Sequence, residues 1–387
     1  MVSQKSLRTK ENRRNYALPS VDYPFLILLI TLLAVGLTML YSASYAQSLY
    51  DTGYESSTRY LQKQGVCAVI GLVAMYFFSR IPARAWKGLA WPVYGVGIVL
   101  LLSVLVFGQS VNGAKRWINI AGIQFQPSEI AKFSMILLLA RLTRRYGENA
   151  ADFRHGVLGF GCAMLGLLIP LALEKHLSAI MLMGMVGVVM MFVAGTRAKW
   201  LGAGALAAAA FVVIYISFMG YAGDRVTAWL HPEQDPSDTG YQILQSLYAI
   251  GSGGLFGLGF GRSRQKYLYL PFQYNDYIFA IICEELGLVG ALMIIALFCA
   301  VIARGYWIAL RARDRFSTVL AAGLVTLIAV QTILNLGVVT NLLPSTGIAL
   351  PFFSYGGTAL AVNLGEMGIL LSISRHRNEP KLQEEIP

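Results

Sequence analysis

The feature of this sequence that most constrains its fold is a repeated run of about 20 apolar residues, each followed by a polar break. That length suits a helix crossing the hydrocarbon core of a bilayer. Of 387 residues, 56% are hydrophobic and 13% are charged, about half the charged fraction of a soluble domain. Backbone groups in lipid must be bonded internally, and these runs are too continuous for barrel strands. The sequence therefore predicts an all-α, polytopic membrane protein.

The polar breaks divide the chain into ten predicted transmembrane spans. These cover residues 24–46, 61–80, 88–108, 127–143, 156–173, 177–195, 200–222, 277–303, 317–340 and 358–374. The eighth span is long enough to tilt or to extend beyond the membrane. Residues 1–23 form a basic tail without a cleavage signal, residues 24–374 the transmembrane domain, and residues 375–387 a second tail.

The positions of Lys and Arg predict the orientation. Of 31 such residues, 21 fall on the side that holds both termini, nine on the other side, and one, Lys132, within a span. Positive residues favour the cytoplasmic side, so both tails are predicted to be cytoplasmic. The net charge of +11 then reflects topology, and no nucleic-acid partner is expected.

One predicted outer loop, residues 223–276, is much longer than the others. Loops longer than about 15 residues are usually functional or disordered. Glycines between Gly251 and Gly261 alternate with apolar and aromatic residues, so we expect this loop to fold back onto the bundle as short amphipathic helices. The four cysteines lie in apolar runs without CxxC or Cys/His spacing, so neither a zinc site nor a disulfide framework is predicted.

Asp276 closes the long loop and opens the eighth span. An Asp at this place favours a helix N-cap, and a carboxylate at the membrane surface also suits a general base. Both interpretations stay open from this residue alone. Glu284 lies about 80° around the same helix and about 12 Å deeper. It either lines a cavity shared with Asp276 or pairs with another helix.

A second group of charged residues surrounds the start of the fourth span. Glu129 and Lys132 are spaced i,i+3 on one helix face, which suits either a structural ion pair or a functional one. Just before them, Lys115 and Arg116 lie on the outer side, where cations are less expected, and they invite an anionic ligand. Lys266 adds a further cation in the long loop.

The last outer loop, residues 344–357, has no charged residue. Its density of Pro and Gly breaks helix. Non-helical backbone at membrane depth is tolerated only when it is buried in protein or lines a cavity. We therefore predict a re-entrant, cavity-lining loop.

These motifs together resemble the SEDS family of bacterial cell-wall proteins, the FtsW, RodA and SpoVE group, over nearly the whole chain. The motifs that carry the resemblance are NGAKRWI (112–118), QPSEIAK (126–132), GYQILQSLYAIGSGGLFGLGFG (240–261), DYIFAIICEELG (276–287) and LPSTGIALPFFSYGG (343–357). The form PFFSYGGTA (351–359) is closer to the FtsW and SpoVE branch than to RodA.

The resemblance implies a peptidoglycan glycosyltransferase that polymerises lipid II on the outer face of the bacterial cytoplasmic membrane, in cell division or spore cortex synthesis. It further implies a class B penicillin-binding transpeptidase as partner, alongside membrane lipids. Asp276 matches the family's proposed catalytic Asp and would be the base. The expected substrate-binding residues are Lys115, Arg116, Glu129, Lys132, Lys266, Glu284 and Ser354.

Two parts of the chain depart from the family pattern. Family members often carry Pro-Glu-x-His-Thr-Asp, whereas residues 271–276 keep only the Pro and the Asp. Glu174-Lys175-His176 replaces a Gln-Pro-Asp run after the fifth span, so no catalytic or metal-binding role is expected in that loop. A divalent cation (Mg²⁺ or Mn²⁺) is compatible with the chemistry, but no carboxylate cluster specifies one, so no cofactor is assigned.

Two other functions stay open at this point. A lipid II flippase or transporter would also suit intramembrane Glu129, Lys132, Glu284 and Glu366. However, the two halves of the chain show no clear repeat with interrupted helices. A non-catalytic membrane scaffold would leave the outer motifs unexplained.

Overall fold

The computed structural model describes residues 21–111, 114–120, 123–204, 227–234 and 239–375. Within these residues the chain forms a helical bundle with one small sheet. The helices are α1 (Tyr23–Asp51), α2 (Arg59–Phe78), α3 (Ala83–Phe107), α4 (Pro127–Tyr146), α5 (Phe160–Leu173), α6 (Leu177–Val193), α7 (Thr239–Gly253), α8 (Ile278–Leu310), α9 (Arg315–Val339) and α10 (Thr358–Arg375). A π-helical stretch, Phe153–Gly159, leads into α5.

The predicted membrane-protein class is confirmed by the lengths and compositions of these helices. Helices long and apolar enough to cross a membrane are Tyr23–Asp51, Arg59–Phe78, Ala83–Phe107, Phe153–Leu173, Ile278–Leu310 and Arg315–Val339. The apolar α6 is shorter, while α4 and α10 coincide with the fourth and tenth predicted spans. Residues 198–204 begin a helix at the seventh predicted span, and the rest of that span lies outside the described residues. The count of ten spans therefore stays a prediction.

Two helix starts follow directly from local sequence. Asp22 precedes α1, where its carboxylate accepts a hydrogen bond from the Phe25 amide at 3.0 Å, and Pro24 occupies the first helical turn. Asp314 caps α9 by accepting from the Ser317 amide at 3.1 Å. In both cases a short acidic side chain accepts a hydrogen bond from a first-turn amide that has no carbonyl partner within the helix. Asp22 is also bound by Arg304 of α8 at 2.9 Å, which ties α1 to α8.

The most buried part of the bundle includes α4. This helix packs against α3, α5, α6 and α9, and the side chains from Met135 to Ala140 are at most 1% exposed. Its charged residues Glu129 and Lys132 are also buried. Because a charged side chain in a membrane protein is costly in contact with lipid, a helix that carries such residues belongs inside the bundle.

The chain between α3 and α4 forms a sheet that the sequence analysis did not predict. Strands β1 (Gln109–Val111), β2 (Ala114–Ile120) and β3 (Ile123–Phe125) pair antiparallel in the order β1-β2-β3. Ser110 is opposite Lys115, and Ile118 is opposite Phe125. The sheet places Arg116 and Trp117 just before the start of α4.

The described part of the long loop folds back onto the bundle, as predicted, and α7 within it packs against α8. The backbone of α8 is non-helical at Gly287, with φ 67° and ψ −169°. The Glu284 and Glu285 carbonyls there accept from the Leu258 and Gly259 amides at 2.9 and 3.0 Å. In return, the Leu288 and Val289 amides donate to the Gly254 and Leu255 carbonyls.

This crossing requires glycine. A Cβ on Gly257, whose φ is +77°, would lie 2.1 Å from the Glu285 carbonyl oxygen. A Cβ on Gly287 would lie 2.3 Å from the Gly257 amide nitrogen. The two backbones therefore touch without side chains between them, and the break in α8 leaves those amides and carbonyls satisfied.

Candidate functional site

One cavity of about 520 Å³ collects most of the residues predicted to act on substrate. Its walls come from β2, the starts of α4, α6 and α7, the end of the long loop, α9, the last outer loop and α10. Its polar lining residues are Arg116, Gln126, Ser128, Glu129, Lys132, His176, Ser178, Gln242, Asn275, Asp276, Gln331, Ser345, Thr346, Ser354, Tyr355 and Asn363. Residues more than 200 positions apart in sequence thus meet around one space.

Asp276 lies in the wall of this cavity and is partly exposed. The helix begins at Ile278 with Tyr277 as its N-cap, so Asp276 is not the cap, and that interpretation is wrong. The Asn335 side-chain amide holds the Asp276 backbone in place. It donates to the Asp276 carbonyl at 2.7 Å and to the Ile348 carbonyl at 2.8 Å. A Cβ on Gly347 would lie 3.4 Å from Asp276 Oδ2, which places the carboxylate beside the last outer loop.

The last outer loop lines the cavity as predicted. Between Val339 and Thr358 the chain contains no α-helix. The Ser354 hydroxyl donates to the Asn275 carbonyl at 2.6 Å and accepts from the Leu350 amide at 2.8 Å. These bonds fasten the loop to the residue next to Asp276. Ser354 therefore positions the Asp276 segment as well as lining the cavity.

The cationic wall is formed by Arg116 and Lys132. Lys132 Nζ lies 2.7 Å from Glu129 Oε2, which confirms the predicted ion pair, and both side chains are almost completely buried. Arg116 Nη2 donates to the Lys175 carbonyl at 2.7 Å, which joins β2 to the turn between α5 and α6. The side chain of Lys115 lies outside the described residues, so its predicted role is untested.

The turn between α5 and α6 contributes residues that the sequence analysis set aside. His176 lines the cavity, is 7% exposed, and has no hydrogen-bond partner for Nδ1. Burial, together with the Arg116 and Lys132 cations, lowers the pKa of His176 to about 3, so its imidazole is neutral near pH 7. Burial raises the pKa of the neighbouring Glu174 to about 8, against the opposing effect of Arg116.

Lys266 and Glu284 do not line this cavity. Of the two interpretations left open for Glu284, the structure supports a contact with another segment, and the substrate-binding role of both residues stays a prediction. Lys266 Nζ lies 3.0 Å from Glu285 Oε1 and donates to the Gly261 carbonyl at 2.6 Å. Glu284 accepts from the Ser263 hydroxyl and from the Arg264 and Gln265 amides at 2.9 and 3.3 Å. Helix periodicity places Glu284 correctly on its face, but the returning loop occupies that face, so both residues anchor the loop to α8.

Three further lining residues escaped the sequence analysis. Gln331 of α9 and Asn363 of α10 each have a buried side-chain oxygen without a hydrogen-bond partner in the described part of the protein. The buried Thr346 hydroxyl also has none there. When a single polar residue lies inside an apolar run, the sequence does not show whether its side chain lines a cavity or contacts another helix. The sequence likewise could not predict that His176, the N-cap residue of α6, lines the cavity, because this position depends on contacts between distant segments.

The family model described as "Cell cycle protein", which covers FtsW, RodA and SpoVE, matches residues 23–379. The stage V sporulation protein E of Bacillus subtilis is 39% identical over 361 residues, covering 92% of this chain and 98% of the relative. A probable peptidoglycan glycosyltransferase FtsW of Geobacter metallireducens is 37% identical over 356 residues, covering 91% and 94%.

Solved structures give the same picture. A chain of a peptidoglycan synthase complex, studied for how it coordinates polymerisation and crosslinking, superposes with a TM-score of 0.77 at 27% identity. That similarity covers 93% of this chain and 99% of the other. The rod shape determining protein RodA of Thermus thermophilus superposes with a TM-score of 0.69 at 27% identity, covering 93% and 98%.

Proposed function

The chain belongs to the cell cycle protein family of FtsW, RodA and SpoVE, and from this premise we propose that it is a peptidoglycan glycosyltransferase. Its reaction is the polymerisation of lipid II into β-1,4-linked glycan strands on the outer face of the cytoplasmic membrane. The observation that carries the proposal is one cavity that combines the carboxylate of Asp276 with the cations Arg116 and Lys132. A base and a site for phosphate charge are the two elements that this transfer needs.

The reaction is a single displacement at the anomeric carbon of the donor sugar. The 4-hydroxyl oxygen of the acceptor sugar forms the new bond, and the bond to the lipid pyrophosphate breaks with inversion. Asp276 accepts the hydroxyl proton, and the pyrophosphate leaves as an anion that needs no proton. The cavity therefore needs no second carboxylate as general acid.

Arg116 and Lys132 stabilise the negative charge that develops on the departing pyrophosphate. Both line the same cavity as Asp276, and Lys132 is buried, where a fixed cation acts more strongly than in water. Glu129 holds the Lys132 ammonium at 2.7 Å and so fixes its position before substrate binds. His176, as a neutral imidazole beside these cations, offers a hydrogen bond without adding charge.

A divalent cation such as Mg²⁺ or Mn²⁺ has no evident protein ligand set in this cavity. Among the described residues, no three His, Cys, Asp or Glu side chains are grouped as a metal site. The lining carboxylates are Asp276 and Glu129, and Glu129 is already bound by Lys132. We therefore assign no step to a metal, and a metal requirement stays a prediction that chelation during polymerisation tests.

The partner and the orientation belong to the same proposal. We infer that the protein acts with a class B penicillin-binding transpeptidase that crosslinks its product, and that both termini are cytoplasmic. The net excess of Lys and Arg on the side of the termini supports this orientation. The cavity is then reached from the outer side, where its loop walls lie.

The test is polymerisation of labelled lipid II by the purified protein with its transpeptidase. We expect wild type to form glycan polymer, and Asp276→Asn to lose at least a hundredfold in rate while staying folded and bound to its partner. Glu233→Gln is the matched control, because Glu233 is an exposed acid of the same loop outside the cavity. Undiminished polymerisation by Asp276→Asn would show that Asp276 is not the general base. A wild-type protein that only moves lipid II across liposomes would overturn the enzyme proposal.

A further inference from the structure

Three tyrosines from separate parts of the chain pack together beside the cavity. Tyr60 is at the start of α2, Tyr274 is in the long loop, and Tyr355 is in the last outer loop. The Tyr60 ring centroid lies 4.5 Å from that of Tyr274 and 4.9 Å from that of Tyr355. The Tyr274 and Tyr355 centroids are 5.9 Å apart. We call these three residues the tyrosine cluster.

The tyrosine cluster is continuous with the proposed catalytic cavity. Tyr355 lines the cavity itself, and Tyr274 lies between the lining residues Phe272 and Asn275. The Tyr355 amide donates to the Tyr274 carbonyl at 2.9 Å, so the two loops are joined at this point. A ligand that leaves the cavity on this side meets the cluster two residues from Asp276.

One edge of the cluster is polar. The Tyr60 hydroxyl donates to Asp51 Oδ2 at 2.5 Å and lies 3.4 Å from the Tyr274 hydroxyl. Asp51 is exposed at the end of α1, where it also accepts from the Gln47 side-chain amide at 2.9 Å. The cluster thus presents aromatic rings next to phenolic hydroxyls and a carboxylate that remains open to solvent.

Packing at a membrane interface does not account for this arrangement. Interfacial tyrosines expose their rings to the headgroups, as Tyr50 and Tyr54 do here at 64% and 79% exposure. The clustered rings instead pack against one another in tilted and edge-on contacts, are each only partly exposed, and include Tyr355 of the cavity wall. Packing alone would also need no shared network of hydroxyls with Asp51.

A pyranose ring matches this chemistry. Its flat C–H face suits an aromatic ring, and its hydroxyl rim suits phenols and a carboxylate, which forms strong charge-assisted hydrogen bonds. We propose that the tyrosine cluster with Asp51 is a carbohydrate subsite that holds a hexopyranose unit of the glycan strand next to the unit reacting at Asp276. The inference rests on the proposed polymerase activity and names a product-strand site within it.

The polar edge can be tested without removing the rings. In Tyr60→Phe and Asp51→Asn the packing stays, while the contacts to sugar hydroxyls weaken. Tyr269→Phe is the matched control, since Tyr269 is an exposed tyrosine of the long loop outside the cluster. The probe is a short lipid-free glycan fragment released from polymer by a glycosidase.

Binding is measured in Asp276→Asn protein, so that it does not depend on turnover. We expect fragment affinity to fall at least fivefold with Tyr60→Phe or Asp51→Asn in that background, and not with Tyr269→Phe. In the catalytically intact chain the same changes should shorten the mean polymer length at least threefold. Unchanged affinity and unchanged length in folded protein would overturn the subsite.

Two further outcomes distinguish the glycan strand from the lipid-linked substrate as the bound sugar, and the subsite proposal from the polymerase proposal. A raised KM for lipid II with unchanged polymer length would assign the cluster to the lipid-linked substrate and overturn the strand assignment. If the wild-type protein does not polymerise lipid II, the proposed function is wrong. If neither the wild-type protein nor Asp276→Asn binds the fragment, only the subsite is wrong.

Discussion

At the scale of single residues, the ion pair of Glu129 and Lys132 combines a structural role with a chemical one. Both side chains are buried and 2.7 Å apart. Removing one partner of a buried pair leaves an uncompensated charge, which costs about 3–5 kcal/mol, whereas removing both costs far less. We therefore expect Glu129→Gln or Lys132→Met alone to lower thermal stability strongly, and the double variant to recover most of it.

The same double variant separates folding from chemistry. If Lys132 carries phosphate charge, recovered stability should not bring recovered polymerisation, and activity should stay at least tenfold below wild type. Thermal unfolding and lipid II polymerisation on the same preparations measure both quantities. Wild-type activity in the double variant would show that the pair serves the fold only.

Glu174 makes stability depend on pH in a predictable direction. Its pKa is raised from the ordinary 4.5 to about 8 by burial, so the folded chain binds a proton that the unfolded chain releases. This contribution is full below about pH 4.5 and is lost as pH rises towards 8. Glu174→Gln should therefore raise the unfolding temperature relative to wild type more at pH 8 than at pH 5.

The control for this pH effect is Glu148→Gln, which changes an exposed acid elsewhere in the chain. Unfolding curves at pH 5 and pH 8 for the two variants and wild type measure the difference. An equal shift at both pH values would contradict a buried, protonated Glu174. His176 works in the opposite direction, because its lowered pKa removes stability as pH falls from about 6.5 towards 3.

Single residues of the site were predictable where a pattern surrounds them. Arg116, Glu129 and Lys132 were identified from charge at unexpected places in a membrane protein. Asp276 was identified at the junction of the long loop and the eighth span, and its catalytic role was implied by the resemblance to the SEDS family. The cavity brings all four residues together. His176 was excluded because its surroundings depart from the family pattern. Its position comes instead from the cap of α6 against β2, which no local spacing encodes.

At the scale of elements, Gly257 offers a sharp test of how the long loop joins α8. A methyl group there would meet the Glu285 carbonyl at 2.1 Å, and its φ of +77° already disfavours a side chain. We expect Gly257→Ala to lower the free energy of unfolding by about 2–3 kcal/mol and to open the loop to protease. Thermal unfolding and limited proteolysis measure both effects.

Gly251 in α7 provides the matched glycine control. A Cβ at Gly251 meets nothing within 4 Å, and the residue is helical without a positive φ. Gly251→Ala should therefore be neutral or slightly stabilising, because Ala favours helix by about 1 kcal/mol over Gly. Equal loss of stability in both variants would contradict the close backbone crossing.

Spans were predictable and the sheet was not, for a physical reason. Lipid forces every spanning segment to be a long apolar helix, so α1, α8 and α9 follow from composition and length. Strands of three to seven residues, such as β1 and β2, are stabilised by pairing with each other. Runs that short carry too little periodicity to be recognised.

At the scale of the whole molecule, the predicted orientation can be tested from outside the cell. Single cysteines at Glu55 and Glu148, both exposed, fall on opposite predicted sides of the membrane. In a chain whose four native cysteines are replaced, an impermeant thiol reagent should label Glu55→Cys in intact cells. It should label Glu148→Cys only after permeabilisation. The reverse pattern would invert the topology and place the cavity's loop walls inside the cell.

The break at Gly287 has a kinetic consequence. The four backbone hydrogen bonds between residues 254–259 and residues 284–289 make the returning loop and the N-terminal part of α8 a single rigid unit, with Asp276 at its end. That loop cannot swing away without leaving amides and carbonyls unsatisfied. Opening of the segment 254–259 would break all four of these bonds, so we expect each catalytic cycle to proceed with this segment closed.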